Sequence, residues 1–422
     1  MREQASPIRT PIVADHASDR VIIAKIWPLL IAAVVGLLPF TAFSTFLVPI
    51  SATAGAQESV VGGLRGLGGV TALLTGVIIA PLLERWSPRV AAPAALVLLA
   101  IASLLAATGS LVPLVLFCLL VGTATALLTP VLLAGATRSF TRAGDGGRAA
   151  TLVTATQTLA AVLAAPLLGA LALAGGWRIP FGAVALLALL TACALAVSSR
   201  ASSATRGGAS GQQHAPPRYL QAFRLVKGRR DLLAAIGVST MRTTAFMGQL
   251  AFLAAVYDQR FGLQAELFTV VWTLSGAAFF LGNYLAGRWA RQVAGSRRRT
   301  LMLLASGTIG GLAALPVVVL VPGLGAALAG TAVLSFSHAV LAAGVTTLIA
   351  QHGGELTSVT FSLNAAGQSL GVFLGAAVGG LGLALAGLPG LVIALSAPML
   401  LALGMLTWMG PAGASAEPAE TR

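Results

Sequence analysis

The chain has 422 residues, of which 57% are hydrophobic and only 9% are charged. Its mean hydropathy is +0.91, and soluble domains carry about 25% charged residues, so a water-soluble fold could not cover this much apolar surface. The formal net charge is +14. Because the basic residues lie between long apolar runs, we expect them to set membrane orientation, and we expect no nucleic acid as a partner.

Long apolar runs begin near the N-terminus and recur along the chain. The first two are Ile26–Ile50 and Val60–Leu83, and the last two are Val359–Ala386 and Leu388–Met409. Each is long enough to cross about 30 Å of hydrocarbon, and none shows strand-type alternation. The predicted fold class is an all-α integral membrane protein in the lipid bilayer, with twelve transmembrane helices in two pseudo-symmetric six-helix bundles.

The distribution of Lys and Arg predicts the orientation of these helices. Most basic residues fall on one side, which the positive-inside rule assigns to the cytoplasm. We therefore expect a multi-pass protein of the bacterial cytoplasmic membrane with both termini cytoplasmic. The predicted segments are an N-terminal tail (1–25), an N-terminal bundle (26–197), a flexible basic linker rich in Ser, Gly and Arg (198–231), a C-terminal bundle (232–409) and a C-terminal tail (410–422).

Internal repetition supports a duplication of six helices. Leu82, Arg85 and Trp86 after the second predicted span recur as Leu285, Arg288 and Trp289 after the eighth. Single matches of this length are weak, but their order along the two halves is consistent, as expected for repeated halves.

Three segments carry a family resemblance. APLLERWSPR at positions 80–89 is similar to the loop signature G-x-L-a-D-r-x-G-r-[KR], APLLG at 165–169 is similar to the pattern G-P-x-x-G, and FSLN at 361–364 precedes a Gly-rich continuation. Together they resemble the major facilitator superfamily, particularly its drug-efflux-like branch of twelve-helix drug:proton antiporters. The resemblance covers about residues 20–410.

The resemblance implies proton-coupled efflux of a small amphipathic or anionic organic compound by alternating access. It implies a conformational latch formed by Glu84, Arg85, Arg89 and Arg288, and an antiporter-like motif at Pro166 and Gly169. We expect a monomer without cofactors and without enzymatic activity.

Two other functions remain open. Cys118 occupies the position of the antiporter arginine, and the first span has no acidic residue, so uptake or facilitated diffusion of a small metabolite is the alternative. A membrane-embedded enzyme or signalling scaffold is the remote alternative, because catalysis normally requires converging acid, base or metal groups.

The seventh predicted span carries the clearest candidate site. Ser239, Arg242, Phe246 and Gln249 share one helix face by their spacing. Since the resemblance implies that this span lines a central cavity, Arg242, Phe246 and Gln249 are predicted to contact substrate. The alternative is that Arg242 binds carbonyls of a neighbouring helix.

The tenth predicted span contains His338, which is the candidate proton carrier because histidine titrates near physiological pH. The alternative is a hydrogen-bonded packing residue, and no metal site is expected. Thr41, Thr45 and Thr125 give polar faces to the first and fourth spans, either towards the cavity or at helix contacts. Arg65 is expected to reach the headgroups, or less readily to pair with an acid as a gate.

Overall fold

The computed structural model describes residues 18–83, 88–140, 142–201, 219–293 and 296–409, and helices are the regular structure of these ranges. Nine segments in them are long and apolar enough to cross a membrane. The helices are α1 (Asp19–Val35), α2 (Leu38–Thr45), α3 (Leu47–Ala54), α4 (Glu58–Leu83), α5 (Pro88–Ala107), α6 (Leu111–Arg138), α7 (Ala143–Ala172), α8 (Arg178–Ala201), α9 (Tyr219–Val226), α10 (Arg230–Phe261), α11 (Ala265–Val293), α12 (Arg297–Leu320), α13 (Leu324–His352) and α14 (Thr357–Trp408), with a 3-10 turn at Gly354–Leu356.

The first predicted span forms three consecutive helices, α1 to α3. Pro39 lies in the first turn of α2, where its missing N–H costs no helical hydrogen bond. Backbone bonds from Thr41 to Leu37 and from Ile50 to Phe46 continue the i to i−4 pattern across the junctions. The segment is therefore kinked between its helices and keeps its backbone hydrogen bonds, as the bilayer interior requires.

Helix α14 is a hairpin of two antiparallel arms. Its backbone leaves helical geometry at Ala386 and at Gly387, which has φ 60°. A Cβ on Gly382 would lie 2.5 Å from the carbonyl oxygen of Gly390, whereas eight residues of straight helix span about 12 Å. The chain therefore reverses here, at the boundary that the hydropathy pattern predicts between the last two apolar runs.

The linker predicted for 198–231 contains regular structure. Helix α8 continues to Ala201, and α9 occupies Tyr219–Val226. Val226 is fully buried while Phe223 and Leu225 are exposed, and α9 contacts α14. The end of this segment thus lies against the C-terminal helices.

Polar contacts define two ends of the molecule. At the end where α1 begins and α14 ends, which we call the terminal end, Arg148 pairs with Asp19, and Arg297 donates to the carbonyl of Met409 at 2.8 Å. At the opposite, distal end, Arg178 donates to the carbonyl of Ala107 at 3.0 Å. Arg297 and Arg178 thus bind carbonyls that helix ends leave free.

Glycines bring the helices α1–α8 close to the helices α10–α14. Helix α4 packs on α14, and α7 packs on α11. A Cβ on Gly69 would lie 2.6 Å from the backbone nitrogen of Phe373 in α14, and one on Gly169 would collide with the side chain of Thr269 in α11. Small residues thus allow backbone approach where hydrophobicity gives no driving force between helices in lipid.

The outer surface of this helix assembly is apolar. Leu173, Leu385 and Ile393 are more than two-thirds exposed, at 76%, 77% and 71% of their surfaces. Such side chains are stable when they contact lipid tails, as expected for a membrane protein.

The close approach at Gly69 gives a test of the α4–α14 contact. Gly69→Ala should lower the thermal unfolding midpoint in detergent, because overpacking against a backbone costs about 1–3 kcal/mol. The matched control is Gly63→Ala in the same helix, where the new Cβ would meet only the Ala376 carbonyl at 3.9 Å. A control variant as destabilised as Gly69→Ala would contradict the packing account.

Candidate functional site

Arg242 lies at half depth in α10, the helix that begins at Arg230 and ends at Phe261. Twelve residues of helix place it about 18 Å from the terminal end of α10. Only 5% of its surface is exposed. Its Nη2 donates to Thr243 Oγ1 at 3.0 Å, its Nη1 donates to the carbonyl of His338 at 3.5 Å, and its Nε has no partner in the described ranges.

No carboxylate among the described residues pairs with Arg242. All 12 acidic residues of the chain fall outside the predicted spans, and the described ones lie at helix ends, such as Asp231 and Asp258 of α10 itself. A buried cation within a membrane helix is costly unless it pairs, faces water or meets a ligand. The contact to the His338 carbonyl is long for a hydrogen bond and offers only partial compensation.

An aromatic cluster centred on Phe246 lies beside this guanidinium. The Phe246 ring lies 6.0 Å from Arg242 Cζ, 4.9 Å from the His338 ring, and 5.1 Å from Phe279, on which it stacks at 10°. Phe279 comes from α11, so three helices meet at this point. The structure brings Arg242 and Phe246 together with His338, as expected if all three line one site. Phe279 was not identified from the sequence.

Two hydroxyl pairs fix α13 beside its neighbours. Tyr257 and Thr331 join α10 to α13 at 2.8 Å, and Ser275 and Ser335 join α11 to α13 at 2.7 Å. Ser335 lies one turn before His338, so the second pair lies on the same side of α13 as the histidine. His338 is 1% exposed, and its Nδ1 has no partner among the described residues.

The remaining cavity candidates differ in how their polar atoms are satisfied. Thr41 donates to the Leu37 carbonyl at 2.9 Å, and Thr125 donates to the Val121 carbonyl at 2.8 Å. Thr45 and Gln249 are both buried, and the hydroxyl of Thr45 and both amide atoms of Gln249 are unpartnered in the part of the chain that the structure describes. A buried polar group without a partner costs about 1–3 kcal/mol, which marks these two residues as unusual.

Arg65 does not reach the membrane surface as the sequence suggested. It is 8% exposed, its Nη1 donates to Ser44 of α2, and its Cζ lies 5.5 Å from the Phe40 ring. Its Nε has no partner within the described ranges. The position of Arg65 near one end of its span predicts contact with the lipid headgroups. The approach of α2 to α4 shows instead that this arginine is enclosed.

Most residues of the predicted latch lie outside the part of the chain that the structure describes. Glu84 and Arg85 lie outside the described residues, and Arg89 belongs to α5 without a described side chain. Arg288 is exposed on α11 and donates to the Tyr284 hydroxyl at 3.2 Å.

The antiporter-like motif lies on α7. Pro166 is inside this helix, and Gly169 faces Thr269 of α11, so the motif borders a contact between N-terminal and C-terminal helices. In the described ranges no group of three His, Cys, Asp or Glu residues is placed to hold a metal ion.

A polar contact also joins α4 and α10 at the distal end. Gln259 Nε2 donates to Glu58 Oε2 at 2.7 Å, where Glu58 precedes the predicted second span. Burial raises the pKa of Glu58, the bond from Gln259 opposes this rise, and the charge of Asp258 adds to it. The protonated form of the Glu58 carboxyl is therefore favoured more in this structure than in a carboxyl that is fully exposed to water.

Comparisons with known proteins agree with this architecture. The family model described as Major Facilitator Superfamily matches residues 29–376. A bacterial homolog of the human lysosomal transporter Spinster is similar in its inward-facing occupied form (16% identity, 93% of this chain and 97% of that chain, TM-score 0.72) and in its unoccupied form (16%, 93% and 96%, 0.68). A mutant of the nucleoside transporter NupG is similar over 92% of this chain and 100% of its own (12% identity, TM-score 0.73). No curated protein matches the chain at a significant level.

Removal of the uncompensated charge should stabilise the ligand-free protein. Arg242→Gln is expected to raise the thermal unfolding midpoint by roughly 2–4 °C, since it relieves about 1 kcal/mol or more of burial cost. Arg260→Gln is the contrast, because Arg260 donates to the carbonyls of Val318 and Val321 and should lower the midpoint when removed. If the unfolding midpoint fell by a similar amount in both variants, we would conclude that Arg242 stabilises the fold as Arg260 does.

The Glu58 contact predicts a pH dependence with a defined sign. Because the pKa of Glu58 is raised in the folded protein, the folded state binds more protons than the unfolded state between the two pKa values. The stability contributed by Glu58 should thus fall as pH rises through that window. Thermal unfolding of wild type and Glu58→Gln should diverge with rising pH in favour of the variant, and parallel profiles would refute the assignment.

Proposed function

Because the chain belongs to the major facilitator superfamily, we propose that it is a secondary-active transporter that exports a small amphipathic or anionic organic compound in exchange for protons. The family and the structural neighbours are transporters rather than enzymes. Transporters of this kind bind their substrates within the membrane and expose the site alternately to its two sides.

The proposed architecture has twelve spans in two six-helix halves, 26–197 and 232–409. The hairpin of α14 supports two spans, and the kinked α1–α3 segment supports one. Helices α4 and α10 have 26 and 32 residues, or about 39 and 48 Å, which exceeds the thickness of the hydrocarbon. We propose a monomer in a bacterial cytoplasmic membrane with its termini in the cytoplasm.

The observation that carries the proposed activity is the buried guanidinium of Arg242 at half depth, without a carboxylate partner in the described ranges. A charge in this position is expensive for the empty protein and useful for a protein that binds a polar or anionic solute. Phe246 gives the apolar wall that an amphipathic solute needs, and Gln249 adds unpartnered amide atoms. Thr41, Thr45 and Thr125 are proposed to complete the site from the N-terminal helices.

Proton coupling is proposed for His338. Its ring lies against Phe246 on the same face of the site as Arg242, and its Nδ1 is buried and unpartnered in the described structure. A change in the protonation of this ring would alter the charge beside Arg242, and thus the affinity of the site for an anion.

The halves are proposed to rock on the close contacts between α4 and α14 and between α7 and α11. Pro166 and Gly169 lie on α7 at the second of these contacts. Glu84, Arg85 and Arg89 are proposed to hold the halves closed on the cytoplasmic side in one state of the transport cycle, with Arg288 as their repeat-related counterpart.

Uptake or facilitated diffusion is the second candidate. Cys118 is buried at the position where the resembled antiporters carry arginine, and acidic residues are missing from the first predicted span. Transport that is indifferent to a proton gradient would favour this candidate.

Flux in proteoliposomes tests the proposal. With an imposed proton gradient, the wild type should move anionic or neutral amphipathic compounds against their gradients and exchange protons. His338→Ala should abolish gradient-driven accumulation but retain counterflow, because binding and rocking do not require proton exchange.

The matched control is His352→Ala, at the terminal end of α13, which should keep coupled transport. If His338→Ala retained coupled transport, His338 would be a packing residue and not the proton carrier. Flux by the wild type that ignores the gradient would replace the antiporter with a facilitator.

A further inference from the structure

A second buried guanidinium lies in the N-terminal helices. Arg65 of α4 and Arg242 of α10 are 8% and 5% exposed. Each lies over a phenylalanine ring, Phe40 for Arg65 and Phe246 for Arg242. Each binds a hydroxyl of a neighbouring side chain and leaves its Nε without a partner in the described residues. The two halves therefore present similar cationic groups.

The depth of the two arginines follows from the packing of α4 against α10. The helices run in opposite directions, and Gly62 of α4 lies against the Phe252 ring of α10. Three residues further along α4, Arg65 is thus level with Gln249. Because Arg242 is seven residues before Gln249, the two arginines differ in depth by about 10 Å.

Unpartnered polar atoms lie at the depth of Arg65 and Gln249. Besides Arg65 Nε, they are the Thr45 hydroxyl and both amide atoms of Gln249, which belong to residues that are 1% and 4% exposed. Thr45 follows Ser44, the partner of Arg65, along α2. Helix α10 contacts both α2 and α4, and Arg65 of α4 donates to Ser44 of α2. These three helices thus contribute donors and acceptors that the described protein leaves unsatisfied.

Arg65 and Arg242 give this region two positive charges, and none of its described side chains carries a negative charge. All 12 acidic residues lie outside the predicted spans, and Glu58, seven residues before Arg65 on α4, is engaged by Gln259. Each guanidinium in a medium of low dielectric strongly favours an anion at hydrogen-bond distance. A single small anion could not meet both groups across about 10 Å of depth.

We propose that the substrate is an organic dianion with two acidic groups joined by an apolar or aromatic spacer, bound between Arg65 and Arg242. One acidic group meets each guanidinium, Gln249 and Thr45 bind polar atoms near Arg65, and Phe40 and Phe246 contact the spacer. This inference rests on the proposed transport function and narrows its substrate from amphipathic or anionic compounds to dianions.

Calorimetric binding to the purified full-length protein at low ionic strength tests the charge requirement. The probes are unbranched α,ω-dicarboxylates of graded length, their monomethyl esters and their neutral diamides. The dicarboxylates should show an affinity optimum at one chain length, with monoesters weaker by roughly 10- to 150-fold and diamides weaker still, because each lost charge removes one charge-assisted contact. These comparisons use the wild type only, so they do not depend on the folding of a variant.

Arginine variants test which protein groups bind the two charges of the ligand. Arg65→Gln and Arg242→Gln should each lower the affinity for the best dicarboxylate to about that of its monoester, and neither should affect diamides. The control is Arg178→Gln, at the distal surface, which should bind as the wild type. Inorganic phosphate should bind weakly, with no advantage over the monoesters.

Several results would overturn the inference: diamides or cations that bind as tightly as dicarboxylates, monoesters as tight as diacids, or unchanged binding in both variants. Flux separates this failure from failure of the proposed function. Gradient-driven transport of neutral or cationic compounds would support the transport function and refute the dianion as substrate. Dicarboxylate binding without any flux would support the binding site and refute the transport mechanism.

Discussion

A guanidinium at half depth without a carboxylate is the constraint on which the structure depends. Arg242 gains only a neighbouring hydroxyl and a distant carbonyl from the described protein, and neither neutralises its charge. Helices α10, α11 and α13 are held around it by hydroxyl pairs and stacked rings rather than by ion pairs. Since no described carboxylate pairs with this guanidinium, we propose that the site is complementary in charge to an anion.

Close backbone contacts join the N-terminal and C-terminal helices, and we propose that the helices move at these contacts to change the exposure of this site. In lipid, the contact of α4 with α14 and that of α7 with α11 depend on glycines rather than on large apolar surfaces. The Glu58–Gln259 contact at the distal end adds a polar element between α4 and α10, and the raised pKa of Glu58 predicts that its stability depends on pH.

Hydropathy and helical periodicity predict much of this structure. The apolar runs predict the membrane class, the break before Leu388 predicts the reversal within α14, and the spacing of Arg242 and Phe246 predicts their shared face. Neither method detects which helices meet. The enclosure of Arg65 by α2 and the stacking of Phe279 on Phe246 depend on tertiary contacts between residues far apart in sequence. The latch motif at 84–89 was found by resemblance alone, and its geometry stays a prediction.

We propose that a substrate supplies the negative charge that the buried arginines lack among the described side chains. An experimental structure of the protein with a transported compound bound would test it most directly. The account predicts an acidic group of the ligand within hydrogen-bond distance of Arg242, with the contact to the His338 carbonyl replaced or shortened. A ligand bound elsewhere, with Arg242 still engaged only by protein groups, would contradict it.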